Sequence, residues 1–411
     1  MKKIPLKELA TITAGQSAPK PELFSKEGFP FVRAGSLEEL IAGKKESDLE
    51  LISIDIAEAL RLRLYPAGSI LFAKSGMSAT KNRFYQLKTP AYVVSHLAIL
   101  IPKDCLFVDY IRHVLIKYPP SSLIKDLAYP AISLGDIQDF KVPVPDDSDD
   151  QIRIATLLSK VENFISRRRE QLKQLDELLK SVFLEMFGDP VRNEKGWNTV
   201  RFSEIVKDIE SGWSPVCEAR VASSSEWGVL KLGAITSCVY QADENKALLP
   251  DVQPKTKNEV HTGDLLFSRK NTYDLVAACV YIFNTRAKLL MSDLIFRLVF
   301  TDAAGVNPLY VWKLLINDSQ RKKIQSLAGG AAGSMPNISK ANLKNIYIPL
   351  PPLELQNRFA AIVTKVESQK TAYAQSLIQL ESLYGTISQK AFKGELDLSR
   401  VPLVEESEPV S

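Results

Sequence analysis

The sequence predicts an α+β protein made of two tandem, pseudo-symmetric domains, each followed by a long helix. Three observations predict this. The chain repeats its own anchor residues in two halves. Its apolar runs outside the helices are short, β-rich and punctuated by Gly, Pro, Ser and Asn. Two stretches of about 35 residues carry apolar side chains at alternating spacings of four and three, the coiled-coil pattern.

The repeat is read first. Ala131-Ile-Ser133 running to Val142-Pro-Val-Pro145 matches Asn337-Ile-Ser339 running to Ile348-Pro-Leu-Pro351. Gln151 then matches Gln356, and Val161-Glu162 matches Val366-Glu367. Upstream, the run Gly68 to Phe72 matches Gly263 to Phe267, with Lys74 and Arg269 at the same step beyond. Tyr110 to Leu115 matches Tyr310 to Leu315. The halves divide near residue 190, which sets the expected boundaries: a first domain over 1–145, a first helix over 146–190, a second domain over 191–350, a second helix over 351–396 and a tail over 397–411.

Within the first domain Ile70–Phe72, Tyr92–Val94 and Ile99–Ile101 read as strands, and Tyr110–Lys117 as a helix. Pro145 and the acidic residues Asp146, Asp147, Asp149 and Asp150 mark the start of the first long helix, because negative charge suits a helix N-terminus. Pro351-Pro352 and Glu354 do the same for the second. Gly188-Asp189-Pro190 and Gly394 are the stops. The first seam is Ile154, Leu158, Val161, Ile165, Arg168, Leu172, Leu175, Leu179, Val182 and Met186. The second is Phe359, Val363, Val366, Lys370, Tyr373, Leu377, Leu380, Tyr384, Ile387 and Ala391. Only Arg168 and Lys370 interrupt them. A helix of about 35 residues is about 50 Å long, more than a domain of about 145 residues can cover, so the seams are expected to meet each other. A whole domain separates the helices, so connectivity allows a parallel or an antiparallel pair.

Composition narrows the function. The 411 residues, 45% hydrophobic and 24% charged, suffice for two globular cores. The net charge is only +4, so an anionic ligand must be met by basic groups gathered on one face. The opening run Met1 to Glu8 lacks the apolar core of a signal peptide. No apolar run approaches the ~20 residues of a membrane span; Ala91–Ile101 is short and contains His96. Cys105, Cys217, Cys238 and Cys279 are scattered, which speaks against a zinc site or a disulfide framework and fits a cytoplasmic location.

Domain, Pro-rich exit, long helix, and the same again: this layout resembles the specificity subunit of type I restriction-modification systems. The residues that carry it are Ile338-Ser339 to Leu353, Gln356, the second seam and Ala391 to Glu395, and in the first copy Val142 to Pro145, Gln151, the first seam and Phe187 to Pro190. The likeness spans essentially the full chain. It departs where that family often has Glu before the Gln, since Asp150 and Leu355 stand there. The resemblance implies two target recognition domains, each reading half of a split double-stranded DNA site, and helices paired as an antiparallel coiled coil that sets the spacing. It also implies docking of two modification (methyltransferase) subunits and of restriction (motor-nuclease) subunits. S-adenosylmethionine, ATP and Mg would belong to those partners, and this chain would carry no cofactor and no catalytic residue.

The residues themselves offer little enzyme chemistry. No GxxxxGK[ST] phosphate loop occurs; the Gly-rich run Ala328 to Ser334 lacks the Lys and reads as a surface or DNA-contacting loop. Asn307-Pro-Leu-Tyr310 approaches the NPP[YF] motif of adenine methyltransferases, without a cofactor motif beside it, and reads as a turn into the following helix. His96, His113 and His261 are far apart. The DNA-reading signal lies after the matched strands: Lys74, Ser75, Lys81, Asn82, Arg83 and Tyr85 in the first half, and Arg269, Lys270, Asn271, Thr272 and Tyr273 in the second. Arg and Lys can bond guanine, Asn can bond adenine, and Lys can pair with phosphate. Arg33 and Lys231, on matched apolar runs, are further candidates, with Gln16-Ser17 and Ser214 as fallbacks. Trp213 reads as packing, and Arg167-Arg168-Arg169 as a solvated face, a subunit contact or a phosphate contact. The competing readings are an enzyme with built-in catalysis and a coiled-coil scaffold.

Overall fold

A computed structural model describes residues 1–301, 305–329 and 335–403. Most of the Gly-rich run, 330–334, and the tail from 404 onward lie outside the described residues. The chain divides into two units: Met1–Arg169 with Gln375–Ser411, and Glu170–Ala374.

In the first unit the central sheet has four antiparallel strands in the order Ala10–Ala14, Leu97–Pro102, Ile70–Ala73, Phe84–Gln86. Side chains alternate across a strand, and here both faces are buried. Ile70, Phe72, Ala98 and Leu100 face the helix Val108–Lys117 and share a core with Ile154, Leu158, Ala391 and Phe392 of the long helices. Leu71, Ala73, Leu97 and Ile99 face the other way, onto a second sheet in the order Leu51–Ile52, Phe29–Val32, Tyr92–Val93. That is why these runs read as continuous apolar stretches. A ribbon of Lys2–Pro5 against Lys141–Val144 closes the domain.

The second unit has the same sheets in the same order: Val206–Ser211, Ile295–Phe300, Leu265–Ser268, Cys279–Tyr281; then Asn245–Ala247, Gly228–Leu230, Leu289–Leu290; then Thr199–Arg201 against Tyr347–Pro349. Leu265, Phe267, Phe296 and Leu298 face one core, and Leu266 and Ile295 the other.

The repeated anchors are the contacts that hold each domain to its exit. Tyr110 is fully buried and its hydroxyl donates to Pro143 O at 2.9 Å; Tyr310 is fully buried and donates to Pro349 O at 2.8 Å. Gln356, also buried, donates to Gly305 O (3.2 Å) and Pro351 O (2.7 Å) and accepts from Asn307 N–H (2.8 Å). The motif-like Asn307 caps the helix Pro308–Ile316 by accepting from Leu309 N–H, so that run is architectural.

The long helices are Ser148–Phe187 and Leu353–Lys393. They end at Gly188 and Gly394, both left-handed with φ of 77° and 73°. The two helices contact each other extensively. In the first unit Arg169 pairs with Glu381 at 2.6 Å. In the second, Lys370 pairs with Asp176 at 2.7 Å, and the Phe359 ring lies 5.6 Å from Phe183 and 5.3 Å from Phe187. Lys370, which interrupts the second seam, is therefore a paired cation, also 3.2 Å from Glu367. No seam position is exposed. Toward Phe187, however, the deeply buried residues are Phe183 and Phe187, with Val182 and Met186 only partly buried. A straight α-helix drifts about 20° per heptad against a 3.5-residue repeat, and here the drift turns the phenylalanines toward the Tyr310 core.

Each domain is also bound to the helices through buried polar groups at the repeated Glu. In the first unit Arg112 forms a two-pronged pair with Glu162, at 2.9 and 2.5 Å. His113, fully buried, lies 2.8 Å from Ser159 Oγ and 2.9 Å from Tyr384 Oη. Arg112 reaches its Nε2 at 3.3 Å and can only donate, so Nε2 is the unprotonated nitrogen and Nδ1 carries the proton toward Tyr384. Burial, helped by the Arg112 charge, holds the imidazole pKa down at about 3. In the second unit Lys313 pairs with Glu367 at 3.2 Å. Burial lowers the Lys313 pKa, with Glu367 opposing and Lys370 assisting.

Candidate nucleic-acid interface

Both basic loops leave the third strand of the central sheet at the same step. In the first unit, Lys74 N–H donates to His96 O (3.0 Å) and Lys74 O accepts from Ile132 N–H (2.8 Å). Ser75 Oγ lies 2.9 Å from His96 Nδ1. Gly76, with φ of 71°, donates to Pro130 O at 2.9 Å. A short 3-10 turn, Met77–Lys81, follows, and left-handed Asn82 (φ 49°) turns the chain back into the strand Phe84–Gln86. Lys81 and Asn82 are exposed at the tip. In the second unit, Arg269 N–H donates to Leu294 O (3.1 Å), Ile338 N–H donates to Arg269 O (2.8 Å) and Asn271 N–H donates to Pro336 O (3.3 Å). Thr272 and Tyr273 are exposed. In each domain, then, the basic loop is hydrogen-bonded edge to edge with the segment that precedes the Ile-Ser step.

The candidate side chains divide by environment. Lys74 and Ser75 are half-buried; Lys74, Lys81 and Lys270 have no ion-pair partner among the described residues. The Arg269 guanidinium lies 5.1 Å from the Phe296 ring and donates through Nε to Asn337 Oδ1 at 3.1 Å. Arg83 is paired with Glu38 at 2.6 Å. Asn271 is buried, its Nδ2 donating to Thr236 Oγ1 at 3.2 Å. Tyr85 differs most from expectation. It is 7% exposed, and its hydroxyl donates to Glu46 Oε1 at 3.0 Å. Glu46 also accepts from Lys88 N–H, Thr89 N–H and the Thr89 hydroxyl, so Tyr85 belongs to a buried polar knot. Burial raises its pKa, with Glu46 adding to the shift. Arg33 and Lys231 directly follow the middle strand of the second sheet in their respective domains. Arg33 pairs with Glu50 (2.7 Å) and lies over Phe24 and Phe31; Lys231 pairs with Glu244 (2.8 Å). Arg169 of the arginine run is paired with Glu381.

The fallback positions border the basic loops. Gln16 N–H donates to Val93 O and Gln16 O accepts from Ser95 N–H, both at 2.8 Å, next to the His96 that holds Lys74. Ser214 bonds Asp293, next to the Leu294 that holds Arg269. Gly15 and Gly212 occupy the same step of the repeat: a Cβ on Gly15 would sit 2.1 Å from Val93 O, and one on Gly212 would sit 2.3 Å from Met291 O. Sequence reading missed His96 and Lys340. The ammonium of Lys340 lies 5.7 Å from the Phe296 ring that also carries Arg269. The signal available was the Ile-Ser anchor, one residue upstream of Lys340. Among the described residues no three His, Cys, Asp or Glu side chains cluster as metal ligands, and no helix is long and apolar enough to cross a membrane.

A duplicated α+β chain with a basic loop at the same step of each copy is a class of protein suited to a ligand with two related halves. The family description "Type I restriction modification DNA specificity domain" matches residues 1–177 and 195–382. The chain belongs to that family. It is 32% identical over 192 residues to the Type I restriction enzyme EcoEI specificity subunit of Escherichia coli, a match covering 45% of this chain and 32% of that protein. It is 22% identical over 357 residues to the Type I restriction enzyme MjaIX specificity subunit of Methanocaldococcus jannaschii, covering 82% of this chain and 79% of that one. The fold is similar to the crystal structure of the type I restriction-modification S subunit from M. genitalium, with a TM-score of 0.59 at 13% identity over 95% of this chain and 96% of that one. A chain from a structure of the type I R-M system, described in terms of complex assembly and conformational transition, gives a TM-score of 0.51 at 19% identity, covering 96% and 98%.

Proposed function

We propose that this chain is the DNA-reading subunit of a type I restriction-modification complex. Residues 1–145 and 191–350 each read one half of a split, asymmetric target, and the helices within 146–190 and 351–396 form an antiparallel coiled coil that fixes the gap between them. The observation that carries this is the paired basic loop: one scaffold position used twice, with Lys74 to Arg83 in one copy and Arg269 to Tyr273 in the other. A shared scaffold with differing loops suits two different half-sites. Lys74, Lys81, Asn82, Arg269, Lys270, Thr272 and Tyr273 are the forward candidates, while Tyr85 and Asn271 brace the loops from within. The antiparallel direction draws support from contacts within the second unit. Between the Phe183–Phe359 and Asp176–Lys370 contacts the first helix descends in number as the second ascends.

The helices would also dock two methyltransferase subunits and, for restriction, motor-nuclease subunits; S-adenosylmethionine, ATP and Mg reside in those partners. The chain works in the cytoplasm, where Cys105, Cys217, Cys238 and Cys279, all free, stay reduced. Genomic methylation mapping with and without the gene tests the proposal. The expected result is loss of adenine methylation at one bipartite motif; an unchanged methylation pattern with the partner genes intact overturns it.

A further inference from the structure

Two large apolar side chains stand in solvent at equivalent points of the repeat. Tyr129 is 83% exposed and Met335 is 41% exposed. Each opens a matched segment, Tyr129-Pro-Ala-Ile-Ser133 and Met335-Pro-Asn-Ile-Ser339. Each segment is the one bonded to a basic loop, through Pro130 O and Ile132 N–H in the first unit and through Pro336 O and Ile338 N–H in the second. The next residues are rigidly placed: Ile132 and Ile338 are buried, and Ser133 and Ser339 cap short helices by accepting from Asp136 and Asn342 N–H at 3.0 Å. The residue ahead of the proline is thus held at the basic loop, with its side chain open to solvent. Other exposed apolar groups lie on the same loops: Met77 and Leu127 in the first unit, Tyr273 and Leu275 in the second.

A single exposed apolar residue needs no explanation. An exposed apolar residue at both copies of one step, on the segment bonded to Lys74 in one unit and to Arg269 in the other, does. Unpaired cations next to apolar side chains complement duplex DNA, where phosphates flank bases that offer thymine methyls and ring faces. We propose that Tyr129 and Met335 are base-contacting residues, each packing its apolar side chain on the bases of its own half-site while the neighbouring cations hold the phosphates. The inference rests on reading the two domains as half-site readers. It adds that part of the sequence preference is carried by apolar contact from the segment before the Ile-Ser step.

The test uses the complex assembled with its modification subunits, on duplexes carrying the mapped target and single-base variants of it. Tyr129→Ala and Met335→Ala are compared with Tyr129→Phe, Met335→Leu and Lys81→Ala. The alanine variants are expected to lose roughly 5- to 150-fold in affinity for the target and to relax preference in one half-site each, a different half for each. Binding to unrelated DNA and its salt dependence should stay as in the parent, since no charge is removed. The Phe and Leu variants should keep most of the affinity. Unchanged target affinity and preference in both alanine variants overturns the inference. If Lys81→Ala still lowers the salt slope, the reading of the domains survives that result. An equal loss on every duplex together with failed subunit assembly also overturns it and reassigns these side chains to a partner contact.

Discussion

The His113 imidazole is the residue whose surroundings make the sharpest demand. Its folded pKa of about 3 lies below the ordinary 6.5, so between those values the unfolded chain binds the extra proton. Stability is therefore full above about 6.5 and falls as pH drops through that window, by up to about 1.4 kcal/mol per pH unit from this group. Urea titrations at pH 7.5 and 5 should show the loss, and His113→Gln should flatten the slope while lowering stability at neutral pH. A gain of stability on acidification across that window would contradict a neutral buried imidazole. The two buried tyrosines offer a second check. Tyr110→Phe and Tyr310→Phe each leave a proline carbonyl without its donor, so each is expected to lose about 1–2 kcal/mol of unfolding free energy in denaturant titrations. At the basic loops, Lys81→Ala should weaken binding to all sequences alike and reduce the salt slope by about one unit, whereas Arg269→Ala should cost about 1–3 kcal/mol on one half-site only. Part of this was legible in the sequence. Tyr110, Gln356 and Glu162 stand out as repeat anchors because each grips backbone or charge common to both copies. The burial of Tyr85 leaves no local signature, because its partner, Glu46, lies 39 residues away. Tyr129 was passed over because a tyrosine before a proline reads as ordinary loop, and only the bond from Gly76 to Pro130 brings it beside Lys74.

At the scale of the element, the long helices were legible as two long helices, since the 4,3 spacing and the glycine stops are local properties. Near Phe183 and Phe187 the most deeply buried positions are not those of the expected seam. There the helix face is chosen by the globular core, and the ring of Tyr310, 4.8 Å from Phe187, cannot be located from spacing. If the helices set the gap between half-sites, a heptad inserted after Leu175 lengthens the first helix by about 10 Å. The expected outcome, read by methylation mapping, is a longer spacer or loss of activity, with both half-sites unchanged. A changed half-site would refute this division between helix and domain.

At the scale of the whole molecule, the duplication makes the target a prediction in its own right. Two domains of one fold with different loops should recognise a bipartite motif whose halves differ and are separated by an unread stretch of several base pairs, since readers on one face of a duplex sit about a helical turn, ~10 base pairs, apart. A continuous or palindromic motif would contradict it. The sheet layout followed from short strands and turn residues only in outline. The pairing of strands distant in sequence, such as Ala10–Ala14 with Leu97–Pro102, is decided by which apolar faces fit, and no local pattern encodes that.

The edge-to-edge bonding of each basic loop has a bearing on engineering. Gly76 is tied to Pro130 and Lys74 to Ile132, so the two segments behave as one printed block of type, set in a single frame. A graft that transplants only residues 74–83 from a relative would place foreign backbone against a native neighbour and forfeit those bonds. Moving 125–132 along with it keeps donor and acceptor matched. Chimeras of the second kind should inherit the donor's half-site intact, and those of the first kind should bind weakly or lose discrimination in that half.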